Sequence, residues 1–383
     1  MATLWKTEAI RYSRVMARWI VAMAWKAEAI RYGVGVMALA AVVACVGGGS
    51  GDGSPSASAP ASSPTAAATG TPLGPGLGAS FSFAAAGDHG ADDDAELSLR
   101  ALDASGAAFY LALGDMDYNE TDSDAGWCQF VRDRLPKLGD AFPFQLVSGN
   151  HEDDGSQDGS ILNHARCLPD RLGSTGTYAA QYYFDYPATK PLLRVIMIAP
   201  DLKVGGVEYD YAEGTSEAAW LNSAINDARS GNIPWVVVGM HKNCITMGNK
   251  ECEIGEELLN LLVEKRVDLV LQGHDHNYQR SKQLALSAGG CPAITADSYE
   301  SRCVADDGSD QRYAKGAGTV IVISGSFGRC CYPVDSDDTE AGYFAVSNGD
   351  STGFTRYEVA ADHIDAQFVH STGDFADRFV IER

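Results

Sequence analysis

Five short polar motifs, each directly after an apolar run, constrain the fold of this 383-residue chain more than any other feature. In chain order, the motifs span residues 87–90, 114–118, 149–152, 238–241 and 273–276. The runs before them are rich in branched and aromatic residues and span 81–86, 107–113, 144–147, 235–238 and 267–271. Such runs predict buried strands. The carboxyl ends of neighbouring strands in an open α/β sheet meet at one ligand-binding crevice.

The motifs carry side chains that bind hard or borderline metal ions. They supply two carboxylates, one phenol, one amide oxygen and three imidazoles, from Asp88, Asp115, Tyr118, Asn150, His241, His274 and His276. Any one motif alone has an ordinary explanation as a turn or a buried histidine. Seven donors are too many for one ion and suit two ions that share a bridging carboxylate. The set therefore predicts a dinuclear metal centre.

The motifs together resemble the metallophosphoesterase (calcineurin-like) superfamily and, within it, the purple acid phosphatases. The general superfamily has Asp-x-His in the first motif, whereas Gly90 here matches the purple acid phosphatase pattern Gly-Asp-x-Gly. The second motif ends in Tyr118, where that family places its iron-binding tyrosine. The resemblance extends from about Phe81 to Arg280. It implies a four-layer αββα sandwich of two mixed β-sheets flanked by helices.

The resemblance also implies how the donors divide between a ferric ion and a divalent ion of iron, zinc or manganese. Asp88, Tyr118 and His276 would bind the ferric ion, Asn150, His241 and His274 the divalent ion, and Asp115 would bridge. Phenolate and carboxylate are hard anionic donors that suit a trivalent ion, while imidazole and amide oxygen suit a borderline divalent one.

His151 follows a predicted ligand, and in the family this histidine faces the substrate. It would bind a phosphate oxygen or protonate the leaving alkoxide, and the alternative is that it orients a neighbouring ligand. Well-known members carry a further substrate-facing histidine on the loop after His241, but residues 242–252 contain none. Lys242 or Lys250 would then contact the phosphate, or the site is more open.

The first 80 residues do not predict a folded domain. Residues 1–44 are basic and apolar and end in a run of signal-peptide length at 33–44, too short to span a bilayer. Residues 42–45 read Val-Val-Ala-Cys and resemble a bacterial lipobox, which predicts a lipid on Cys45. The alternative is an ordinary signal peptide that is cut nearby. Residues 45–79 are rich in Gly, Ser, Ala and Pro and predict a disordered tether. Residues 80–383 remain as the catalytic domain.

Nine cysteines favour an oxidising compartment outside the cytoplasm. Eight remain without Cys45, and proximity along the chain predicts two bridges, Cys244–Cys252 and Cys291–Cys303. Cys330 and Cys331 either form a bridge with each other or pair elsewhere.

Helical and strand patterns in the domain agree with two packed sheets flanked by helices. Helices are predicted at 92–104, 125–138, 216–230 and 254–266, and an antiparallel meander at 353–360, 363–370 and 375–381. The fold class is therefore α/β.

The resemblance implies a secreted or lipid-anchored acid phosphatase that hydrolyses phosphate monoesters by attack of a metal-bound hydroxide. A phosphodiesterase or nucleotidase on the same centre is the alternative, and a non-catalytic surface lipoprotein is the third. The partners would be small phosphorylated substrates, with membrane contact only through the N-terminal lipid. A formal net charge of −22 argues against binding a nucleic acid polymer. The oligomeric state and the natural substrate stay open.

Overall fold

The strands and helices of this chain are described from a computed structural model that covers residues 80–286 and 290–383. Within these ranges, nineteen strands, β1 to β19, comprise Phe81–Ala86, Tyr110–Leu113, Phe144–Val147, Thr175–Thr177, Gln181–Tyr186, Leu193–Ile198, Leu202–Val204, Val207–Tyr209, Trp235–Gly239, Leu269–Gln272, Tyr278–Ser281, Gln283–Leu284, Val304–Asp306, Arg312–Ala314, Val320–Ser324, Phe344–Asn348, Gly353–Val359, His363–His370 and Arg378–Glu382. Five helices, α1 to α5, comprise Asp93–Ala104, Asp124–Asp133, Ile161–Cys167, Ser216–Ser230 and Glu256–Glu264. Single 3-10 turns lie at Asn150–Glu152, Ser301–Cys303 and Ala341–Tyr343.

Two mixed sheets form the centre of the fold. The first has seven strands in the order β14-β19-β18-β17-β1-β2-β3, and the second has eight in the order β16-β11-β15-β10-β9-β6-β5-β4. Strands β1 to β3 run parallel in the first sheet, and β6, β9, β10 and β15 run parallel in the second. Strand β14 runs parallel to β19, and the other neighbours in both sheets run antiparallel.

Both faces of each sheet are buried. Phe83 of β1 and Trp235 of β9 belong to a core shared by the two sheets, because alternate side chains of a strand point to opposite faces. The other faces pack with helical residues such as Leu102 and Leu221. Helices α1 and α3 pack on the first sheet and α4 on the second. This arrangement confirms the predicted α/β sandwich of two mixed sheets flanked by helices.

Side-chain caps and a proline set several helix boundaries. The side chains of Asp92, Ser123 and Thr215 each accept a hydrogen bond from a backbone N–H three residues later. Each bond satisfies a donor that the first helical turn leaves unpaired. Helix α2 ends at Asp133, earlier than the predicted residue 138, because Pro136 lacks a backbone donor and restricts the residue before it. The sequence patterns do not predict α3 or the three-residue strands, which are too short to show a period.

The C-terminal strands complete the sheet that begins the domain. Strand β17 pairs antiparallel with β1, with Phe81 opposite Val359, and β18 and β19 follow as the predicted meander. The sequence predicts the meander but not its partner. Because β1 leads directly into the first motif, the end of the chain supports the position of Asp88.

The structure contains disulfides Cys128–Cys167, Cys244–Cys252, Cys291–Cys303 and Cys330–Cys331. The two predicted bridges are thus confirmed. Among the described residues, no helix combines the length and apolar character needed to cross a bilayer. The predicted segments 1–44 and 45–79, with Cys45, lie outside the described residues, so their boundaries stay predictions.

Candidate metal centre

The structure brings the seven predicted donors together from both sheets. Asp88, Asp115 and Asn150 follow β1, β2 and β3, while His241 and His274 follow β9 and β10. Tyr118 and His276 lie further along two of the same loops. The sequence predicts one crevice at the ends of neighbouring strands, and it does not indicate that those strands belong to two different sheets.

Four of the donors have a left-handed backbone, which non-glycine residues rarely adopt. Their φ angles are 64° for Asp88, 53° for Asp115, 54° for Tyr118 and 72° for His274. Surrounding hydrogen bonds hold these conformations. The backbone N–H of Asp88 donates to the Gly114 carbonyl, and the Asp88 carbonyl accepts from the N–H groups of Gly328 and Arg329. Conformations of this kind cost about 1–3 kcal/mol each and cluster at functional sites, which motivates a functional hypothesis for this crevice.

The hydroxyl of Tyr118 is the centre of one group of donors. It lies 2.9 Å from Asp88 Oδ1, 3.0 Å from Asp115 Oδ2 and 3.2 Å from His276 Nε2. Burial, followed by the negative charges of Asp88 and Asp115, raises the pKa of Tyr118 well above its ordinary value. The phenol therefore keeps its single proton, for which the two carboxylates compete as acceptors, and only a strongly charged cation would convert it to a phenolate ligand.

His241 and His274 form a second group with Asn150. The Leu113 carbonyl is 2.8 Å from His241 Nδ1, and Glu253 Oε1 is 2.7 Å from His274 Nε2. Because both of these oxygens are acceptors, each holds an N–H on its imidazole. The remaining nitrogens, His241 Nε2 and His274 Nδ1, lie 3.0 Å apart. When the rings are neutral, each of these nitrogens carries a lone pair that can bind a cation. Asn150 Oδ1 lies 3.0 Å from the same His241 nitrogen.

Asp115 joins the two groups, and the converging acceptors favour positive charge between them. Its Oδ2 lies near both Tyr118 and His241, at 3.0 and 3.2 Å. Ligand atoms of Asp115, His241 and His274 all lie within 4.8 Å of one another. Burial lowers the pKa of His241, but the charges of Asp115 and Asp88 outweigh it and raise that pKa to about 9. The donor set therefore fits two cations that share Asp115.

A comparison with known protein sequences identifies the family of this chain. The sequence model for calcineurin-like phosphoesterases matches residues 81–278, just over half of the chain. The chain belongs to this family.

Relatives of this phosphoesterase include purple acid phosphatases. A nucleotide pyrophosphatase/phosphodiesterase from Hordeum vulgare is 27% identical over 288 residues, covering 71% of each chain. An Arabidopsis thaliana protein named "Probable inactive purple acid phosphatase 24" is 27% identical, covering 71% of this chain and 42% of the relative. A purple acid phosphatase structure from yellow lupin (Lupinus luteus) seeds has a TM-score of 0.59 at 17% identity, covering 80% of this chain and 54% of that chain. The chain is thus a purple acid phosphatase-like member of the family, and it spans about half the length of the last two proteins.

Lys242 does not have the environment that we predict for a substrate contact. Its ammonium lies 2.6 Å from Asp201 Oδ2 and 3.2 Å from Glu253 Oε2, and its side chain is 9% exposed. Burial lowers the pKa of Lys242, but these carboxylates outweigh it and raise the pKa. An ammonium that is held by two carboxylates is poorly placed to bind a phosphate, so the geometry does not support this role for Lys242.

Glu253 is a residue of the site that the sequence analysis missed. It connects Lys242 with His274, the imidazole that it contacts at 2.7 Å. Burial raises the pKa of Glu253, but the hydrogen bond with His274 outweighs it and lowers the pKa to about 2. Carboxylates in this position orient metal-binding histidines. Glu253 lies beside Cys252, so the Cys244–Cys252 bridge, and not any residue spacing, explains its position.

Replacing Glu253 by Gln should lower the affinity for a divalent metal about 10–100-fold, the range found for such outer contacts. The neutral amide loses the charge that favours a cation and accepts a weaker hydrogen bond from His274. Zinc affinity measured by competition with a chelator would check this. Glu251→Gln, an exposed change on the same loop, is the control. Equal affinities in the two variants would contradict the orienting role.

Glu152 and Gly149 fix the conformation of the third motif. The Glu152 carboxylate accepts hydrogen bonds from the backbone N–H groups of Asp115, Met116 and Gly149 at 3.0, 2.6 and 3.0 Å. A side chain at position 149 would place its Cβ 2.1 Å from Asp115 Oδ1, so only glycine fits. The second and third motifs are therefore locked together around the proposed bridging ligand.

His151 is held by a carboxylate that the sequence analysis also missed. Its Nδ1 lies 2.6 Å from Asp158 Oδ2, and its Nε2 lies 3.7 Å from Asp115 Oδ2. The ring centroid is 4.2 Å from that of Tyr118, and the side chain is 29% exposed. Asp158 holds the proton on Nδ1 and turns Nε2 towards the donors. His151 is thus partly open to solvent at the edge of the cluster.

Proposed function

We propose that this phosphoesterase hydrolyses phosphate monoesters as an acid phosphatase, with a ferric and a divalent ion. The observation that carries the proposal is the Tyr118 hydroxyl, which lies within 3.2 Å of Asp88, Asp115 and His276. A phenol among two carboxylates and an imidazole is a donor set for a trivalent ion. The divalent ion would be iron, zinc or manganese.

The residues of the two groups have separate roles in this proposal. Asp88, Tyr118 and His276 hold the ferric ion, Asn150, His241 and His274 hold the divalent ion, and Asp115 holds both. When bound, such a pair of ions polarises the phosphoryl group and acidifies a bound water. The carboxylates offset the charge of two cations held close together.

His151 would act on the substrate as a proton donor. Because Asp158 occupies Nδ1, the proton that reaches the leaving oxygen comes from Nε2. The partial exposure of the side chain allows the substrate to approach it. Asp158 keeps the ring in this orientation and does not itself contact the substrate.

A phosphodiesterase or nucleotidase is the second candidate, favoured by the name of the Hordeum vulgare relative. The two functions use the same centre and differ in the substrate that fits beside it. The rates on p-nitrophenyl phosphate and on bis(p-nitrophenyl) phosphate separate them. A non-catalytic surface protein is a weaker third candidate, because all seven donors are present and in contact.

We also propose that the enzyme works outside the cytoplasm. Four disulfides support an oxidising compartment. Lipidation at Cys45 and a tether over residues 45–79 would then hold the catalytic domain, residues 80–383, at the membrane surface.

Tyr118→Phe tests the proposed ferric site directly. The wild-type protein loaded with iron should be pink or purple and should hydrolyse p-nitrophenyl phosphate faster than the diester. The variant keeps the ring but loses the phenol, so we expect a bleached visible band and reduced iron content. Tyr332→Phe is the control, since its ring stacks on His276 at 4.1 Å without belonging to the donors. A colourless wild type, or an unchanged band in Tyr118→Phe, would refute the ferric site.

A further inference from the structure

The loop after β15 reaches the proposed metal ligands from a part of the chain that carries no recognisable motif. The backbone N–H groups of Gly328 and Arg329 donate to the Asp88 carbonyl at 3.1 and 2.9 Å. Further along, the N–H of Tyr332 donates to the His276 carbonyl at 2.8 Å. The segment 328–332 is thus attached at both ends to residues of the donor set, which fixes the point from which the Arg329 side chain extends.

The Arg329 side chain lies over Tyr118 at the rim of the site. Its guanidinium carbon is 4.8 Å from the centroid of the Tyr118 ring, and the side chain is 38% exposed. One guanidinium nitrogen pairs with Glu120 Oε1, while Glu120 Oε2 accepts from the Ala91 backbone N–H at 2.6 Å. Gly90 leaves the room for this pair, because a Cβ there would lie 2.8 Å from Glu120 Oε2 and 3.0 Å from Arg329 Cδ.

Arg329 places a positive charge beside the proposed ligands of a strongly acidic chain. The chain has a net charge of −22, so its overall field repels a phosphate ester. The ammonium of Lys242 is occupied by Asp201 and Glu253. Arg329 is a cation that touches a proposed ligand and remains partly exposed. Its only side-chain hydrogen bond among the described residues is to Glu120, so most of its five N–H donors stay available.

We propose that Arg329 is a substrate-binding residue, whose guanidinium binds an oxygen of the phosphate at the donor cluster. This inference rests on the proposed phosphoesterase function. Guanidinium matches phosphate with two parallel N–H groups, which an ammonium cannot do. Glu120 is the resting partner of Arg329, and the phosphate replaces it when a substrate binds. Arg329 thereby supplies a phosphate contact from outside the segment 242–252.

The test uses the full chain loaded with iron and zinc, and inorganic phosphate as the probe. Phosphate affinity is measured by calorimetry, and KM and kcat are measured with p-nitrophenyl phosphate. Arg329→Gln should weaken phosphate binding about tenfold and raise KM more than it lowers kcat, as expected for loss of a charged hydrogen bond. Arg329→Lys should recover part of the affinity. Glu120→Gln frees the guanidinium and should strengthen phosphate binding or leave it unchanged.

Arg312→Gln is the matched control, because Arg312 on the edge strand β14 forms an exposed pair with Glu382 on the neighbouring strand β19. Iron content and the visible band show whether Arg329 only supports Tyr118. Loss of iron in Arg329→Gln, or phosphate affinity within about twofold of wild type, would overturn the inference. Because phosphate binding is measured without turnover, a wild type that binds phosphate but hydrolyses no ester would refute the proposed function alone.

Discussion

Asp115→Asn should reduce the hydrolysis of p-nitrophenyl phosphate about a thousandfold, which exceeds the ~10–100-fold typical of changes outside the ligand shell. The Asp115 carboxylate lies within 3.2 Å of both Tyr118 and His241, so one oxygen serves both donor groups. The amide removes the charge that two close cations require. Metal analysis should show less than two ions in each molecule.

The fold of the Asp115→Asn variant should be preserved. Asparagine has nearly the same shape and tolerates the left-handed backbone found here, at φ 53°. Asn150→Ala is the comparison, because the Asn150 side-chain oxygen lies 3.0 Å from His241 Nε2, in one of the two donor groups, and its loss should cost less activity. Near wild-type turnover with full metal loading in Asp115→Asn would show that the two-ion arrangement is incorrect.

The sequence predicts the donors because each one follows the end of a strand within a few residues. Apolar runs such as 81–86 identify a buried strand, and the polar residue after the run lies at the carboxyl end of that strand. The same reasoning predicts the meander at the C-terminus. The position of the motif side chains can therefore be predicted from the local sequence pattern.

The residues around the donors could not be predicted in this way, because contacts between distant parts of the chain determine their positions. Glu253 reaches His274 through a disulfide-closed loop, and Arg329 reaches Tyr118 from a loop more than 200 residues later. Long-range contacts also decide the environment of Lys242. Its position beside His241 suggests a substrate contact, but Asp201 and Glu253 approach it from other parts of the chain and occupy its charge. Pairing of this kind has no local sequence signal.

Asp377→Ala should lower the free energy of unfolding by about 3–5 kcal/mol, because it strands a buried cation. Asp377 binds Arg280 Nε at 2.7 Å, and both side chains are buried. Asp377 also accepts a hydrogen bond from the Tyr278 hydroxyl at 2.8 Å. Arg280 and Tyr278 lie on β11, which begins two residues after His276, so the ion pair connects the C-terminal meander to the strand beside the metal site. Thermal unfolding should shift down by roughly 10 °C for a domain of this size.

The double variant Arg280→Met with Asp377→Leu separates two causes of the lost stability. One is the unpaired buried charge of Arg280, and the other is the loss of specific hydrogen bonds. Replacing a buried ion pair by apolar side chains is often neutral or stabilising, so this variant should recover most of the lost stability. Asp374→Ala, an exposed change on the same loop, should leave the unfolding temperature unchanged. If the double variant is as unstable as Asp377→Ala, then the hydrogen bonds with Tyr278 and Tyr313 hold β11 in place. In that case the metal affinity of the double variant should fall as well, since β11 follows directly from the loop that carries His276.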